Sequence, residues 1–424
     1  MQAMMRTVGL WGALALAACG SGDIEQGPEG GAPDAAVDSP PDQAEQDATE
    51  AGPDVAADAP TEADAEPLVP TEREVLIPLD GQVLFPARLD GTDAHLVVDT
   101  GAVRSAFSET LLRDVVNGVG VTTVDFGDGI VFEDYEVLAV DLSEAENHIG
   151  VPMHGLIGQD LFQQLYFGVD YRRARAIVSR TAPSTAPEGW SEADRVTLPY
   201  EVVQGLPILT VDLEGTPARL IADTGSGVTL LTESRVPPSW LSAGLEGYVW
   251  HTSYGSDEAT IVRIPSLGLG SVSVEESWAI VVPDEHHLAA VFSAIGLEVD
   301  GFLGYPVYRS FYWGIRGADM TYEVFAQPGQ DPLTQAEWNR VGVELVSTGD
   351  NILIDMLFHP SSAFDEGVAV GDQLLTVDGV TVESLGLDDV RNLLRGSVGD
   401  VRALGLVRDG SPVQATVKVD DLLP

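Results

Sequence analysis

Two short stretches carry residues that could do chemistry together. Leu96-Val97-Val98-Asp99-Thr100-Gly101-Ala102 places one carboxylate at the end of an apolar run, and 124 positions later Leu220-Ile221-Ala222-Asp223-Thr224-Gly225-Ser226 does so again. Two carboxyl groups held close cannot both ionise, so they share a proton, and the pair can act as general base on a water and as general acid on its target. The residues before each copy also align without a gap. Leu89-Asp90-Gly91-Thr92 stands against Leu213-Glu214-Gly215-Thr216, which predicts in each case a strand, a tight turn and a second strand that delivers the Asp.

A second pair of blocks repeats at a different offset. Gly155-Leu156-Ile157-Gly158 matches Gly301-Phe302-Leu303-Gly304, and the match runs on through Leu165-Tyr166-Phe167-Gly168 against Phe311-Tyr312-Trp313-Gly314. Short alternating apolar segments between turn residues make both halves all-β. The first lobe spans 73–181, a linker rich in Ala, Pro and Ser spans 182–195, and the second lobe spans 196–326. Within the first lobe, 105–116 is expected to form a short helix.

In these motifs the chain resembles the aspartic proteases of the pepsin and retropepsin clan. The resemblance implies a mainly β fold of two acid-protease β-barrel lobes related by a pseudo-two-fold axis, and an aspartic-type endopeptidase with Asp99 and Asp223 as catalytic pair. It implies a supporting turn of Thr100, Gly101, Thr224, Gly225 and Ser226, with no cofactor and no metal. From Asp99 to Gly127 there are 28 positions, and from Asp223 to the corresponding Gly270 there are 47, so the second lobe carries extra residues around Tyr254-Gly255. That insertion resembles the flap hairpin of the clan, and the first lobe is too short to supply another. Ser226, against Ala102, is expected to bond its neighbouring carboxylate and bias Asp223 toward the charged form. The competing reading is a peptide-binding scaffold on the same fold that no longer cuts.

The last domain, 334–424, resembles a PDZ domain in the stretch 367–379, with Leu387 to Arg395 as the helix beside a peptide groove and two closing strands after it. Such domains take a peptide end as an added strand. The segment Val341-Gly342-Val343-Glu344-Leu345 is the candidate for its carboxylate-binding loop, although it lacks a clear Gly-Leu-Gly-Phe pattern.

The beginning of the chain reads as a targeting signal. Residues 1–19 hold Arg6, an apolar run too short to span a bilayer, and Leu16-Ala17-Ala18-Cys19, which resembles the bacterial lipobox. Lipidation of Cys19, the single cysteine, implies a membrane-anchored protein of the bacterial cell envelope, with Gly20 pointing to the outer membrane. From Gly20 to Pro70 there are fourteen Asp or Glu and no Lys or Arg, which reads as a disordered acidic tether over 20–72. The net charge of -46 argues against nucleic acid, since no basic patch could release its counterions. Partners are therefore expected to be protein or peptide substrates and a C-terminal peptide, with membrane contact through the lipid alone and the chain a monomer.

Overall fold

The computed structural model describes residues 71–78, 81–143, 145–146, 151–252, 255–326, 338–349 and 351–423. The targeting segment, Cys19 and the acidic tract up to residue 70 lie outside these residues; Thr71 and Glu72, the last two of the expected tether, are not disordered but open the strand Thr71–Glu74, because they pair with Val178 and Ile177. So does Tyr254, while Gly255 opens the second strand of its hairpin. No helix among the described residues is long and apolar enough to cross a membrane.

The first half closes a seven-stranded sheet on itself. Its strands run in the order Leu84–Leu89, Thr92–Val98, Gly155–Ile157, Ala106–Ser108, Val131–Val140, Val119–Asp125 and Arg113–Val116, and Leu84–Leu89 also pairs with Val119–Asp125. The second half repeats this with eight strands, closed by Leu206–Leu213 against Gly255–Leu269. In each half one strand passes between those flanking the Asp turn. Gly155–Ile157 lies parallel to Thr92–Val98 and antiparallel to Ala106–Ser108, and Gly301–Leu303 sits in the same way between Thr216–Ala222 and Leu230–Thr232. The stretch 105–116 is therefore not a helix. Sheet pairing on both sides claims Ala106–Ser108, a single 3-10 turn follows over Glu109–Leu111, and Arg113–Val116 is the edge strand. Pairing outweighs the weak helical spacing of the apolar residues there.

A third sheet, of six strands, joins the halves. Thr71–Glu74, Arg175–Ser179 and Tyr166–Asp170 come from the first half, and Phe311–Arg316, Thr321–Ala326 and Arg195–Pro199 from the second. At its centre the two Tyr-aromatic-Gly blocks pair antiparallel with Gly168 opposite Gly314, so a local two-fold axis passes between these glycines. Only glycine fits on that axis. A Cβ on Gly168 would stand 1.7 Å from the Tyr312 hydroxyl oxygen, and one on Gly314 would stand 2.4 Å from that of Tyr166.

The hairpins after the two Asp turns differ in reach. Val119 and Ile261 occupy the same level, since each faces a strand residue, Leu138 or Ile280, that also pairs beside the Asp turn through Ala106 or Leu230. The first hairpin turns at once, through Asn117 and Gly118 with positive φ. The second continues over residues 255–260 before its turn, which at about 3.3 Å per residue carries it roughly 20 Å further. Its stem is fastened to the second half: buried Trp250 packs tilted on His287 with ring centroids 4.7 Å apart, and the Asp257 carboxylate accepts the His287 backbone N–H at 2.9 Å.

The C-terminal domain is a five-strand path plus one short branch, in the order Val343–Thr348, Asn351–Leu357, Gln373–Val377, Val401–Arg408 and Ser411–Lys418. It packs on the second half through Trp338, Met356, Phe358, Leu422 and Leu423, which share one buried cluster with Tyr248 and Trp278. Trp278 and Trp338 meet edge to face at 5.1 Å. Glu246, at the base of the long hairpin, exchanges both backbone bonds with His359 at 2.8 and 2.9 Å.

Candidate active site

Asp99 and Asp223 each follow the last residue of a buried strand, and each backbone N–H is fixed to the strand that threads past it, to the Ile157 carbonyl at 3.1 Å and the Leu303 carbonyl at 3.0 Å. The turns then lock across the interface of the two halves. Thr100 Oγ1 donates to the Ala222 carbonyl at 2.6 Å and accepts from the Thr224 N–H at 3.0 Å; Thr224 Oγ1 donates to the Val98 carbonyl at 2.6 Å and accepts from the Thr100 N–H at 3.1 Å. All of these groups are buried. A reciprocal lattice of this kind fixes two chain segments 124 residues apart with no side-chain freedom left.

The lattice brings the carboxylates together. A Cβ on Gly101 would sit 2.4 Å from the Asp223 carboxyl carbon, and one on Gly225 would sit 2.5 Å from that of Asp99. Each glycine thus makes room for the opposite lobe's acid. Both acids are buried. Burial, and next the charge of Asp223 beside it, hold the Asp99 carboxyl well above the usual carboxylate range. Burial pushes Asp223 up to about 6, against the lowering effect of bonds from Asp99 and from the Gly225 and Ser226 amides. Asp223 Oδ1 accepts the Gly225 N–H at 2.9 Å, whereas neither oxygen of Asp99 has a well-formed bond. The pair therefore holds its proton on Asp99 and its charge on Asp223.

This asymmetry does not come from the Ser226 hydroxyl. Ser226 Oγ donates to the Val228 carbonyl at 2.8 Å, because the turn presents that acceptor two residues on, and the Ser226 backbone amide faces Asp223 just as the Ala102 amide faces Asp99.

Several groups around the pair give no signal in the motifs. Gln159 Nε2 donates to the Thr100 carbonyl at 2.7 Å, supporting the first turn from behind. The hydroxyls of Tyr171, Tyr308 and Tyr322 are buried without a partner among the described residues, and the charge of Asp223 contributes, after burial, to raising all three. In the repeat Tyr308 stands where the first half has Phe162, so the lost symmetry at that position was the available clue. Asp160 takes no part in the pair. It accepts from the backbone and hydroxyl of Ser105 at 2.9 and 2.8 Å and from Tyr135 at 2.6 Å, which ties the threading strand's end to the first lobe. His95 and His154 bond each other at 3.0 Å, backbone to ring, away from the pair. Among the described residues no group of three or more His, Cys, Asp or Glu is placed to hold a metal.

Comparison with known proteins adds one domain. Residues 333–406 match the PDZ domain family, a module that generally binds peptides and particularly C-termini. No curated protein matches the chain. Among solved structures, a photosystem II D1 C-terminal processing protease is 26% identical over 19% of this chain and 22% of its own length, with a TM-score of 0.18. The chain thus spans about a fifth of that protein, a likeness too small to bear on the two halves.

Proposed function

We propose that this protein is an aspartic-type endopeptidase with a single intramolecular site, Asp99 and Asp223, and a PDZ domain that recruits its protein substrates. The observation that carries this reading is the reciprocal Thr100–Thr224 lattice, which sets two buried carboxyl groups side by side across a local two-fold axis. In the reaction, charged Asp223 takes a proton from a water held between the carboxyls, and Asp99 gives its proton to the peptide carbonyl oxygen as the water oxygen bonds to the carbonyl carbon. Asp223 then passes the proton it took to the leaving nitrogen, and a hydroxyl of the intermediate returns its proton to Asp99 as the C–N bond breaks and the carbonyl re-forms. The insertion around Tyr254-Gly255, taken as a flap, closes over the substrate, and lipidated Cys19 holds the enzyme in the cell envelope.

The test is incubation of the soluble part with a peptide library across pH, with and without pepstatin. Cleavage that pepstatin blocks is expected. Asp99→Asn and Asp223→Asn should each abolish it, and mixing the two variants should restore nothing. Activity in the mixture would mean a site shared between chains, and absence of cleavage at every pH would favour the scaffold reading.

A further inference from the structure

The PDZ sheet ends at Val343–Thr348, which pairs with Asn351–Leu357 on one side and with no strand on the other among the described residues. Helix Leu387–Leu393 lies beside that open edge, the arrangement in which an extended peptide adds as a further strand. The cavity between them has an apolar floor of Val343, Leu345 and Leu394, and its rim is charged: Arg340, Arg391 and Arg395 converge there around Glu344. Residues 338–423 contain six Lys or Arg against fourteen Asp or Glu. Half of the cations of an acidic domain thus gather at one end of one groove.

A carboxylate already fits that place. Arg340 donates to Glu344, the Arg391 guanidinium lies 3.8 Å from the other Glu344 oxygen, and Arg391 also bonds Asp388 at 3.1 Å while its side chain is only 8% exposed. An apolar end side chain entering here would press against paired, charge-bearing groups, the buried Arg391 among them, and form no bond with them, at a desolvation cost. A second carboxylate would instead form charge-assisted bonds with the arginine forks.

We infer that this groove selects peptides whose last residue is Asp or Glu, with the side-chain carboxylate competing with Glu344 for Arg391 and reaching Arg395 at the rim. This rests on the recruiting role proposed above but not on proteolysis. The test therefore uses the full chain carrying Asp223→Asn, so that no peptide is consumed and a failure of the peptidase reading leaves the result intact.

Fluorescence anisotropy is measured with labelled peptides identical except for a final Glu, Asp or Val, at low and high salt. The acid-ended peptides are expected to bind at least about tenfold tighter than the Val-ended one, a difference of about 1.4 kcal/mol, and to weaken as salt rises. Arg395→Gln and Arg391→Gln should each erase most of that preference, the first keeping the test valid if the buried Arg391 is needed for folding. Glu344→Gln should strengthen acid-ended binding. Equal or tighter binding of the Val-ended peptide, no end-dependent binding at all, or a preference untouched in Arg395→Gln would overturn the inference.

Discussion

Replacing Thr100 by Val keeps the shape of the side chain and removes one half of the lattice between the two Asp turns. The Ala222 carbonyl loses its donor at 2.6 Å and the Thr224 N–H loses its acceptor at 3.0 Å, and both residues are buried. A buried polar group left without a partner costs about 1–3 kcal/mol, so two of them predict a loss of about 2–6 kcal/mol. Thr224→Val removes the mirror-image pair, the Val98 carbonyl and the Thr100 N–H, and should cost the same within error. Urea unfolding followed by tryptophan fluorescence is a suitable assay, because six of the seven tryptophans lie between 190 and 338. A loss below about 1 kcal/mol for either variant would refute the claim that these bonds hold the halves in register. So would a large loss for one variant and none for the other.

The buried pair also makes stability depend on pH. Both folded-state carboxyls are raised, so the native state keeps protons that the unfolded state has lost, and the favourable contribution present below pH 3.8 declines as pH rises through about 6 and beyond. Relative to Asp99→Asn, the wild type should lose about 1.4 kcal/mol per pH unit for each extra proton held; melting curves that run parallel from pH 4 to 7 would exclude a raised pair. Cleavage should rise as Asp223 ionises near pH 6 and fall again only where Asp99, held higher, gives up its proton, a bell in the pH-rate profile. Gly101→Ala and Gly225→Ala should each lower the cleavage rate about a hundredfold or more, since a Cβ at 2.4 or 2.5 Å must displace the opposite carboxyl, and an ångström of misplacement costs about that much. Ending the chain at residue 326 should expose Tyr248 and Trp278 and lower the melting temperature of what remains, measurable by calorimetry on the two lengths.

Both repeats were legible in the sequence because they are contacts between equivalent residues. The offset of 124 is the separation of Thr100 from Thr224, which bond each other, and the offset of 146 is that of Gly168 from Gly314, which pair on the axis. What the motifs could not carry is the placement of groups by the third dimension. The proton's bias toward Asp99 follows from burial, from the charge of Asp223 beside it and from a well-formed Gly225 amide bond that only Asp223 has, none of which a comparison of Ala102 with Ser226 could reveal. The docking of the C-terminal domain was equally hidden. Tyr248 and Trp278 look like any inward strand residues until Trp338 and Phe358 are seen to cover them. The edge strand at Arg113–Val116 was misread as helix because its partner lies beyond the next turn and its own apolar spacing suits either state.

The central sheet also sets an order of events during synthesis. Tyr166–Asp170 is buried along its whole length, yet the strand that covers its outer side, Phe311–Arg316, is made some 146 residues later. At the usual pace of a ribosome that interval is roughly 7–30 s, during which the nascent first lobe presents an apolar, unpaired strand edge of the kind that recruits other chains. The second lobe is thus the first lobe's chaperone as well as its partner, and a transcript that stalls or ends within residues 200–310 yields a product bound for aggregation or proteolysis.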